Sequence, residues 1–241
     1  MKILSPEDWN IPRKILVILA HPDDPEFFCG GTLARWIDAG HEVSYLLLTR
    51  GDKGSDDPLL SPQELMAIRM NEQKAAGSVL GIQEITFLEY PDGFLVPDME
   101  MRKEIVRQIR RHKPDIIVTS DPTNLYIRGI YINHPDHRAA GLVTLEAVFP
   151  ASGNLFYFPE LLEEGLQPHS PAEVWISLTH EPTVTIDVTP FWSIKVNSLL
   201  QHKSQIGDPD QFRIKMAERR TEDSTDDDPR FVEGFRRLYK R

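Results

Sequence analysis

The sequence predicts an α/β protein with a Rossmann-like open, mostly parallel sheet, helices on both of its faces and a C-terminal α+β extension. Four apolar segments typical of buried strands alternate with helical patterns at a spacing of about 30 residues, as in right-handed βαβ units. From about residue 149 the pattern changes, because prolines separate short extended segments. We expect a single domain over residues 1–241, with a parallel core over about 12–148 and the extension over about 149–241.

Apolar runs and helix start signals locate the elements. Ser61, Pro62 and Glu64 form a helix start with a capping serine, and Gly81 is the expected stop of that helix. The predicted strands are 15–20, 43–48, 85–88 and 115–120, and the predicted helices are 31–39, 62–80, 98–111 and 137–148. In the extension we expect edge strands at 174–176 and 184–188, a helix from 189 to about 203, and an aromatic tail at 231–239 that packs on a neighbouring subunit.

Composition narrows the class of protein. The 241 residues carry a formal net charge of −10, which argues against a nucleic-acid partner because phosphates need a basic surface. The single cysteine, Cys29, permits no intramolecular disulfide. No apolar run approaches the roughly 20 residues of a membrane span, and none resembles a signal peptide. We therefore expect a cytoplasmic protein without a membrane partner.

The first chemical motif follows the first predicted strand directly. His21, Asp23 and Asp24 lie in the segment His-Pro-Asp-Asp-Pro-Glu. Open α/β sheets bind their ligands at the carboxyl ends of strands, and a histidine three residues from a carboxylate can direct both side chains at one ion. The same segment could merely cap the following helix with a carboxylate.

A second motif strengthens the metal interpretation. His134, Asp136 and His137 follow the fourth predicted strand and its long loop. Here too a carboxylate could act only as a helix cap, but two such clusters at the carboxyl ends of parallel strands favour a shared site. Together they offer two imidazoles and a carboxylate for a metal, with an imidazole and a carboxylate left over. Three protein ligands and an open position are typical of a catalytic zinc site.

These residues resemble the PIG-L/LmbE-like family of zinc-dependent N-acetylglucosaminyl deacetylases. The resemblance rests on the two histidine motifs and on Gly30-Gly31-Thr32-Leu33-Ala34. It extends through most of the chain, by way of Thr49-Arg50-Gly51, Arg69 with Glu72, Tyr90-Pro91-Asp92-Gly93, and Lys195 with His202-Lys203-Ser204-Gln205. One departure is that Pro25 stands between the aspartate pair and the next acidic residue, Glu26.

The resemblance implies roles for individual residues. His21, Asp24 and His137 would bind the metal, Zn²⁺ or alternatively Fe²⁺, and Asp23 would be the general base. His134 would stabilise the transition state or donate a proton, with Asp136 orienting it. The expected substrate is a small N-acetylated sugar, and the expected assembly is a homo-oligomer, either a trimer or a hexamer. Arg69 and Asp92 match sugar-contacting positions. Further candidate substrate contacts are Arg50, Tyr131 and His202, and the loop residues Tyr126 and Arg128 could also line the pocket.

Two other functions fit parts of the pattern. Two histidines and one carboxylate with open positions also describe ferrous oxygenases, although those sites usually lie on all-β folds. A non-catalytic sugar- or nucleotide-binding α/β module is the second alternative. The chain lacks a Gly-x-Gly-x-x-Gly segment after its first strand, which disfavours a phosphate-binding module.

Overall fold

A computed structural model describes residue 9 and residues 11–127 and 129–239 of the chain. The strands are β1 Lys14–Leu19, β2 Glu42–Thr49, β3 Glu84–Tyr90, β4 Ile116–Ser120, β5 Tyr126–Ile127, β6 Tyr131–Ile132, β7 Glu173–Ser177, β8 Val184–Asp187 and β9 Val232–Tyr239. The helices are α1 Asp24–Asp38, α2 Pro62–Leu80, α3 Met99–His112, α4 Pro135–Glu146, α5 Glu160–Glu163, α6 Trp192–Leu199, α7 Lys203–Ile206 and α8 Pro209–Ala217. None of these helices combines the length and the hydropathy that a membrane span needs.

Seven strands form one sheet in the order β3-β2-β1-β4-β7-β9-β8. The pairs from β3 to β7 are all parallel, and only β9 runs antiparallel to its neighbours. The predicted α/β class with a mostly parallel sheet is confirmed. Strand order reverses at β1, because the chain moves outward to β2 and β3 and then returns to place β4 on the other side. In such sheets the crevice at the carboxyl ends of the two central strands is the usual ligand site.

Helices cover both faces of the sheet. Alternate side chains of β1 point to opposite faces, so Val17 packs on the side of α1 and α6, whereas Ile18 packs on the side of α3 and α4. The residues before α1 and α4 therefore enter the same crevice from opposite faces of the sheet.

Helix α1 begins earlier than predicted. The sequence indicated a helix from Gly31, but the structure begins it at Asp24 and places Gly30 and Gly31 within it. A Cβ on Gly31 would lie 2.7 Å from the Cβ of Val188. The glycines therefore permit close packing instead of marking the helix start.

The C-terminal strands occupy positions that the sequence did not reveal. Segment 174–176 was predicted to be an edge strand, but β7 lies inside the sheet between β4 and β9. The tail predicted to pack on another subunit is instead β9, which pairs with β7 and β8. Phe235 of β9 contacts Trp175 of β7 and Trp36 of α1 in the core. Burial of these aromatic rings explains the inward position of the tail.

A buried ion pair ties β9 to α1. The Lys195 Nζ lies 2.6 Å from the Glu233 carboxylate and donates a second hydrogen bond to the Phe27 carbonyl. The same carboxylate accepts the backbone N–H groups of Gly31 and Thr32. Both charged side chains are about 95% buried or more. The last strand thus holds the helix whose first turn reaches the crevice.

Removing one partner of this pair should destabilise the fold strongly. Glu233→Ala leaves a buried ammonium without its counter-charge, and we expect a loss of about 3–5 kcal/mol in the free energy of unfolding. Urea denaturation measures it. Glu181→Ala, which breaks the exposed pair with Arg236, is the matched control and should cost less than about 1 kcal/mol. Equal losses in the two variants would contradict the role given to the buried pair.

Candidate active site and metal centre

The strained backbone of Asp23 directs the two adjacent aspartate side chains apart. Asp23 immediately precedes α1 and has φ 89°, in the left-handed region that residues other than glycine seldom adopt. This turn directs the Asp24 carboxylate toward two histidines, while the Asp23 carboxylate faces Arg69. Strained backbone of this kind concentrates at functional sites.

Asp24 lies between two of the predicted metal ligands. Its oxygens lie 3.4 Å from the Nδ1 of His21 and 3.1 Å from the Nε2 of His137. One of them also accepts the His21 backbone N–H. The three side chains predicted to bind the metal therefore converge in the structure.

Hydrogen bonds fix which ring nitrogens are free for a metal. The Nε2 of His21 contacts the carboxylate of Asp136 at 3.2 Å, and the Nδ1 of His137 contacts the side-chain oxygen of Asn133 at 2.9 Å. With those nitrogens protonated, the lone pairs lie on the nitrogens that face Asp24. Metal-binding histidines usually have such a partner on the second nitrogen. The donor set fits a divalent cation such as Zn²⁺.

Asp136 contacts two of the site histidines. The sequence predicts that it orients His134, and in the structure its carboxylate contacts His21. The N–H groups of Gly93 and Leu95 hold it there at 2.7 and 3.2 Å. Asp136 touches His134 through its backbone, whose N–H donates to the Nδ1 of that ring.

This contact leaves His134 as a hydrogen-bond donor. Because its Nδ1 accepts a hydrogen bond, the neutral ring carries its proton on Nε2. Burial, together with the charges of His21 and His137, lowers the pKa of His134 and favours the neutral form. Its ring lies 4.6 Å from that of His21 and 5.3 Å from that of His137, measured between centroids.

Charge in the crevice favours a cation. Burial opposes ionisation of Asp24, but His137 and His21 hold the pKa of its carboxyl well below the ordinary range. Burial likewise opposes protonation of His21, yet Asp24 and the hydrogen bonds that the ring donates to Asp136 and Asp92 raise its pKa well above the ordinary value. An imidazole that attracts positive charge this strongly in a buried site is suited to bind a metal ion.

Two overlapping groups could hold an ion among the described residues. His21, His134 and His137 have ligand atoms within 4.8 Å of one another, and so do His21, Asp92 and Asp136. In the second group, Asp136 already accepts two backbone N–H groups and the His21 ring, as a carboxylate supporting a ligand does. Asp24 belongs to neither group, although its carboxylate contacts His21 and His137, so the ligand set of His21, Asp24 and His137 stays a prediction.

Asp23 faces an arginine that the fold has buried. The Arg69 Nη2 lies 3.2 Å from the Asp23 carboxylate and 2.8 Å from the Pro22 carbonyl, while its Nη1 donates to Gly51. Burial raises the pKa of the Asp23 carboxyl to about 6, although Arg69 acts in the opposite direction. A Cβ on Gly51 would lie 2.3 Å from the Arg69 Nη1, so the glycine makes room for the guanidinium.

The other predicted substrate contacts divide into two groups. Asp92 is brought to the site, where its carboxylate lies 3.0 Å from the His21 Nε2 and 3.8 Å from Arg69. Arg50 pairs with Glu89 on β3, and Tyr131 is an exposed residue of the β5–β6 hairpin. Among the contacts that the structure describes, neither Arg50 nor Tyr131 reaches the predicted metal ligands.

His202 and Arg69 lie deeper than a simple substrate contact would. His202 is fully buried against Glu26, so direct contact with a sugar is incompatible with its position. Arg69 is 4% exposed, and the nearby Glu72 binds Ser204. Tyr126 is exposed on the hairpin, and Arg128 lies outside the described residues.

Sequence reasoning missed three supporting residues. Asn133 contacts His137, Gln73 accepts the backbone N–H of Asp23, and Glu26 is fully buried beneath them. Adjacency to the histidine motifs was the only signal for Asn133 and Glu26. Gln73 lies 50 residues from its partner and carried no signal.

Comparison with known proteins identifies the family. Residues 16–148 match the family model described as PIG-L, GlcNAc-PI de-N-acetylase. The chain belongs to the PIG-L family. The predicted resemblance is confirmed, and with it the enzyme class, a hydrolase that removes N-acetyl groups.

Individual PIG-L relatives extend the match beyond the family model. The diacetylchitobiose deacetylase of Thermococcus kodakarensis is 38% identical over 199 residues, which cover 83% of this chain and 72% of that one. A 1D-myo-inositol 2-acetamido-2-deoxy-alpha-D-glucopyranoside deacetylase of Kineococcus radiotolerans is 31% identical over 64% of this chain and 49% of its own length. The solved N,N'-diacetylchitobiose deacetylase of Pyrococcus horikoshii is 31% identical with a TM-score of 0.85, over 94% of this chain and 84% of that one. These relatives do not favour the oxygenase or binding-module alternatives.

Asn133 supplies a test of the metal centre. Asn133→Ala removes the partner of the His137 Nδ1, and loss of such a partner typically weakens metal binding about 10- to 100-fold. Titration of the metal-free protein with Zn²⁺, followed by calorimetry, measures the affinity. Asn71→Ala, on the exposed face of α2, is the control. Unchanged Zn²⁺ affinity in Asn133→Ala would show that this contact does not support the metal ligand.

Proposed function

We propose that this protein is a zinc-dependent hydrolase that removes the acetyl group from a small N-acetylglucosamine-type sugar, with diacetylchitobiose as the first substrate to test. The observation that carries this proposal is the separation of Asp23 from Asp24. One carboxylate lies between two imidazoles with free lone pairs, and its neighbour is kept apart from them as a base. Amide hydrolysis at a metal centre requires both functions within one small site.

His21, Asp24 and His137 would hold the metal. A bound divalent ion supplies Lewis-acid polarisation of the amide carbonyl and lowers the pKa of a water molecule to about 7. Zn²⁺ is the proposed ion, and Fe²⁺ is the alternative that the same ligands accept. Metal analysis of the purified protein distinguishes the two.

Asp23 would transfer the protons, and His134 would stabilise the negative charge that develops on the carbonyl oxygen. Asp23 accepts a proton from the attacking water as the bond to the carbonyl carbon forms. The Nε2–H of His134 then donates to the developing oxyanion, an interaction often worth about 3 kcal/mol. As the C–N bond breaks, the leaving amine takes the proton that Asp23 accepted from the water, and acetate is the second product.

The sheet and its helices support this charge distribution. Both α1 and α4 direct their N-termini into the crevice, and each carries an aspartate in its first turn. The positive end of a helix dipole stabilises negative charge there. Asp92 and Arg69 are the proposed contacts for the sugar hydroxyl groups, and Arg69 would contact the sugar only at the edge of its buried guanidinium.

A set of N-acetylated sugars tests the substrate class. We expect acetate release from N,N′-diacetylchitobiose, with N-acetylglucosamine and its inositol conjugate as comparisons. An enzymatic acetate assay on the zinc-loaded protein measures the rates. Lack of acetate release from every member would contradict the proposed function.

Asp23→Asn tests the proposed base. The amide retains an oxygen toward Arg69 but cannot accept a proton, so we expect kcat to fall about 10²- to 10⁴-fold. Zinc content, measured by elemental analysis, should stay at the wild-type level because Asp24, His21 and His137 are unchanged. Asp38→Asn, at the exposed C-terminal end of α1, is the control. A fully active Asp23→Asn enzyme would refute the assignment.

Assembly and location are also proposals. From the family resemblance we propose a homo-oligomer, a trimer or a hexamer, acting in the cytoplasm without a nucleic-acid or membrane partner. Size-exclusion chromatography with light scattering measures the assembly. We further propose that the whole chain folds as one domain, since β7, β8 and β9 extend the same sheet as β1–β4.

A further inference from the structure

A fully buried carboxylate lies beneath the site and takes no part in the proposed chemistry. Glu26 is inaccessible to solvent, and three side chains donate to it. The Gln73 Nε2 lies 3.0 Å from each carboxylate oxygen, the His202 Nε2 lies at 3.2 Å, and the Tyr45 hydroxyl lies at 3.2 Å. Burying a carboxylate is costly unless its hydrogen bonds are satisfied, so this cluster requires an explanation.

Gln73 connects this carboxylate to the proposed base. Its Oε1 accepts the backbone N–H of Asp23 at 2.7 Å, while its Nε2 donates to Glu26. Both contacts require the same orientation of the amide, because an N–H needs an acceptor and a carboxylate needs a donor. Glu26 therefore selects the orientation in which Gln73 can accept from Asp23.

That backbone N–H belongs to the strained turn. Asp23 has φ 89°, and a residue other than glycine keeps such a conformation only where its surroundings fix it. If the turn relaxed, the Asp23 carboxylate would lose its position beside Arg69, whereas Asp24 would still be held by the His21 backbone N–H and by His137. The hydrogen bond from Asp23 to Gln73 opposes that relaxation.

Helix α2 holds Asp23 at two points. Arg69 and Gln73 are four residues apart, on one face of the helix. Arg69 contacts the Asp23 carboxylate, and Gln73 contacts the Asp23 backbone. The helix thus fixes both the direction of the proposed base and the turn that produces it.

Residues 202–205, far along the chain, form hydrogen bonds that hold Glu26, helix α2 and the loop before it. His202 donates to Glu26, Ser204 binds Glu72 of α2 through its N–H and its hydroxyl, and Gln205 donates to the Gly54 carbonyl. These contacts hold α2 and the loop before it. These hydrogen bonds, of which only that of His202 is buried, give the segment a role that does not require substrate contact.

We propose that Gln73, oriented by Glu26, is a positioning residue for deacetylation that maintains the left-handed backbone of Asp23 and so keeps the base aligned. The proposal rests on the function proposed above. It assigns to Gln73 an effect on the rate of the chemical step and none on metal binding, because the hydrogen bonds that the structure describes for Gln73 go to Asp23 and Glu26 and not to His21, Asp24 or His137.

Gln73→Met tests the proposal. The methionine keeps the length of the side chain but can neither accept from Asp23 nor donate to Glu26. We expect kcat for N,N′-diacetylchitobiose to fall about 10- to 100-fold, the range expected when a catalytic group is misplaced by up to about 1 Å. KM and the zinc content should remain at wild-type values. Steady-state kinetics, elemental analysis and thermal unfolding are measured on the same zinc-loaded preparation.

Gln63→Met is the matched control, because Gln63 lies on the same helix with an exposed side chain. Its kcat should equal that of the wild type. An unchanged kcat in Gln73→Met would overturn the proposal, and so would a loss of zinc parallel to the loss of rate, since the network would then support the metal ligands. An inactive wild-type protein would instead refute the proposed function, and the positioning role with it.

Glu26→Gln provides a second route that preserves side-chain volume. An amide at position 26 can donate as well as accept, so it no longer selects one orientation of Gln73, and kcat should fall in the same direction. In the double variant with Gln73→Met the two losses should not multiply, because both act through one hydrogen bond. Fully multiplicative losses would show that Glu26 acts independently of Gln73, which contradicts the proposed coupling.

Discussion

The left-handed turn at Asp23 is the constraint on which the site depends. At this turn the two adjacent carboxylates point to different parts of the crevice. Here Asp24 lies between His21 and His137, while Asp23 faces Arg69. The two residues thereby acquire opposite electrostatic surroundings, and burial raises the pKa of one carboxyl while the imidazoles lower that of the other. The proposed roles of the two neighbours, Asp24 as a metal ligand and Asp23 as a base, depend on this turn.

The topology of the sheet makes such a site possible. β1 and β4 are adjacent and parallel, so the segments that follow them meet at one edge. From there α1 and α4 depart on opposite faces, and their N-termini converge on the crevice. The buried pair of Lys195 with Glu233 fixes α1 from the C-terminal strand, which explains why the extension is integral to the site although the proposed metal ligands all lie in the parallel core.

Much of the parallel core could be predicted from the sequence. Strands β1–β4 and helices α2 and α3 follow from apolar runs, capping residues and glycine stops, all of which are local signals. The order of the C-terminal strands could not be predicted, because strand pairing is a contact between distant segments. The position of β9 between β7 and β8 depends on burying Phe235 against Trp175 and Trp36, which no local pattern encodes.

The sequence by itself determined the residue types and spacing of the metal centre. The two histidine motifs follow predicted strands, and they supply His21, Asp24 and His137 within short segments. Only the tertiary structure decided how these residues are supported. Asp136 turns to His21 because backbone N–H groups from another loop draw its carboxylate there, and Gln73 reaches Asp23 across 50 residues. The sequence shows directly which side chains are present in a motif. Their hydrogen-bond partners depend on which distant segments the fold brings together.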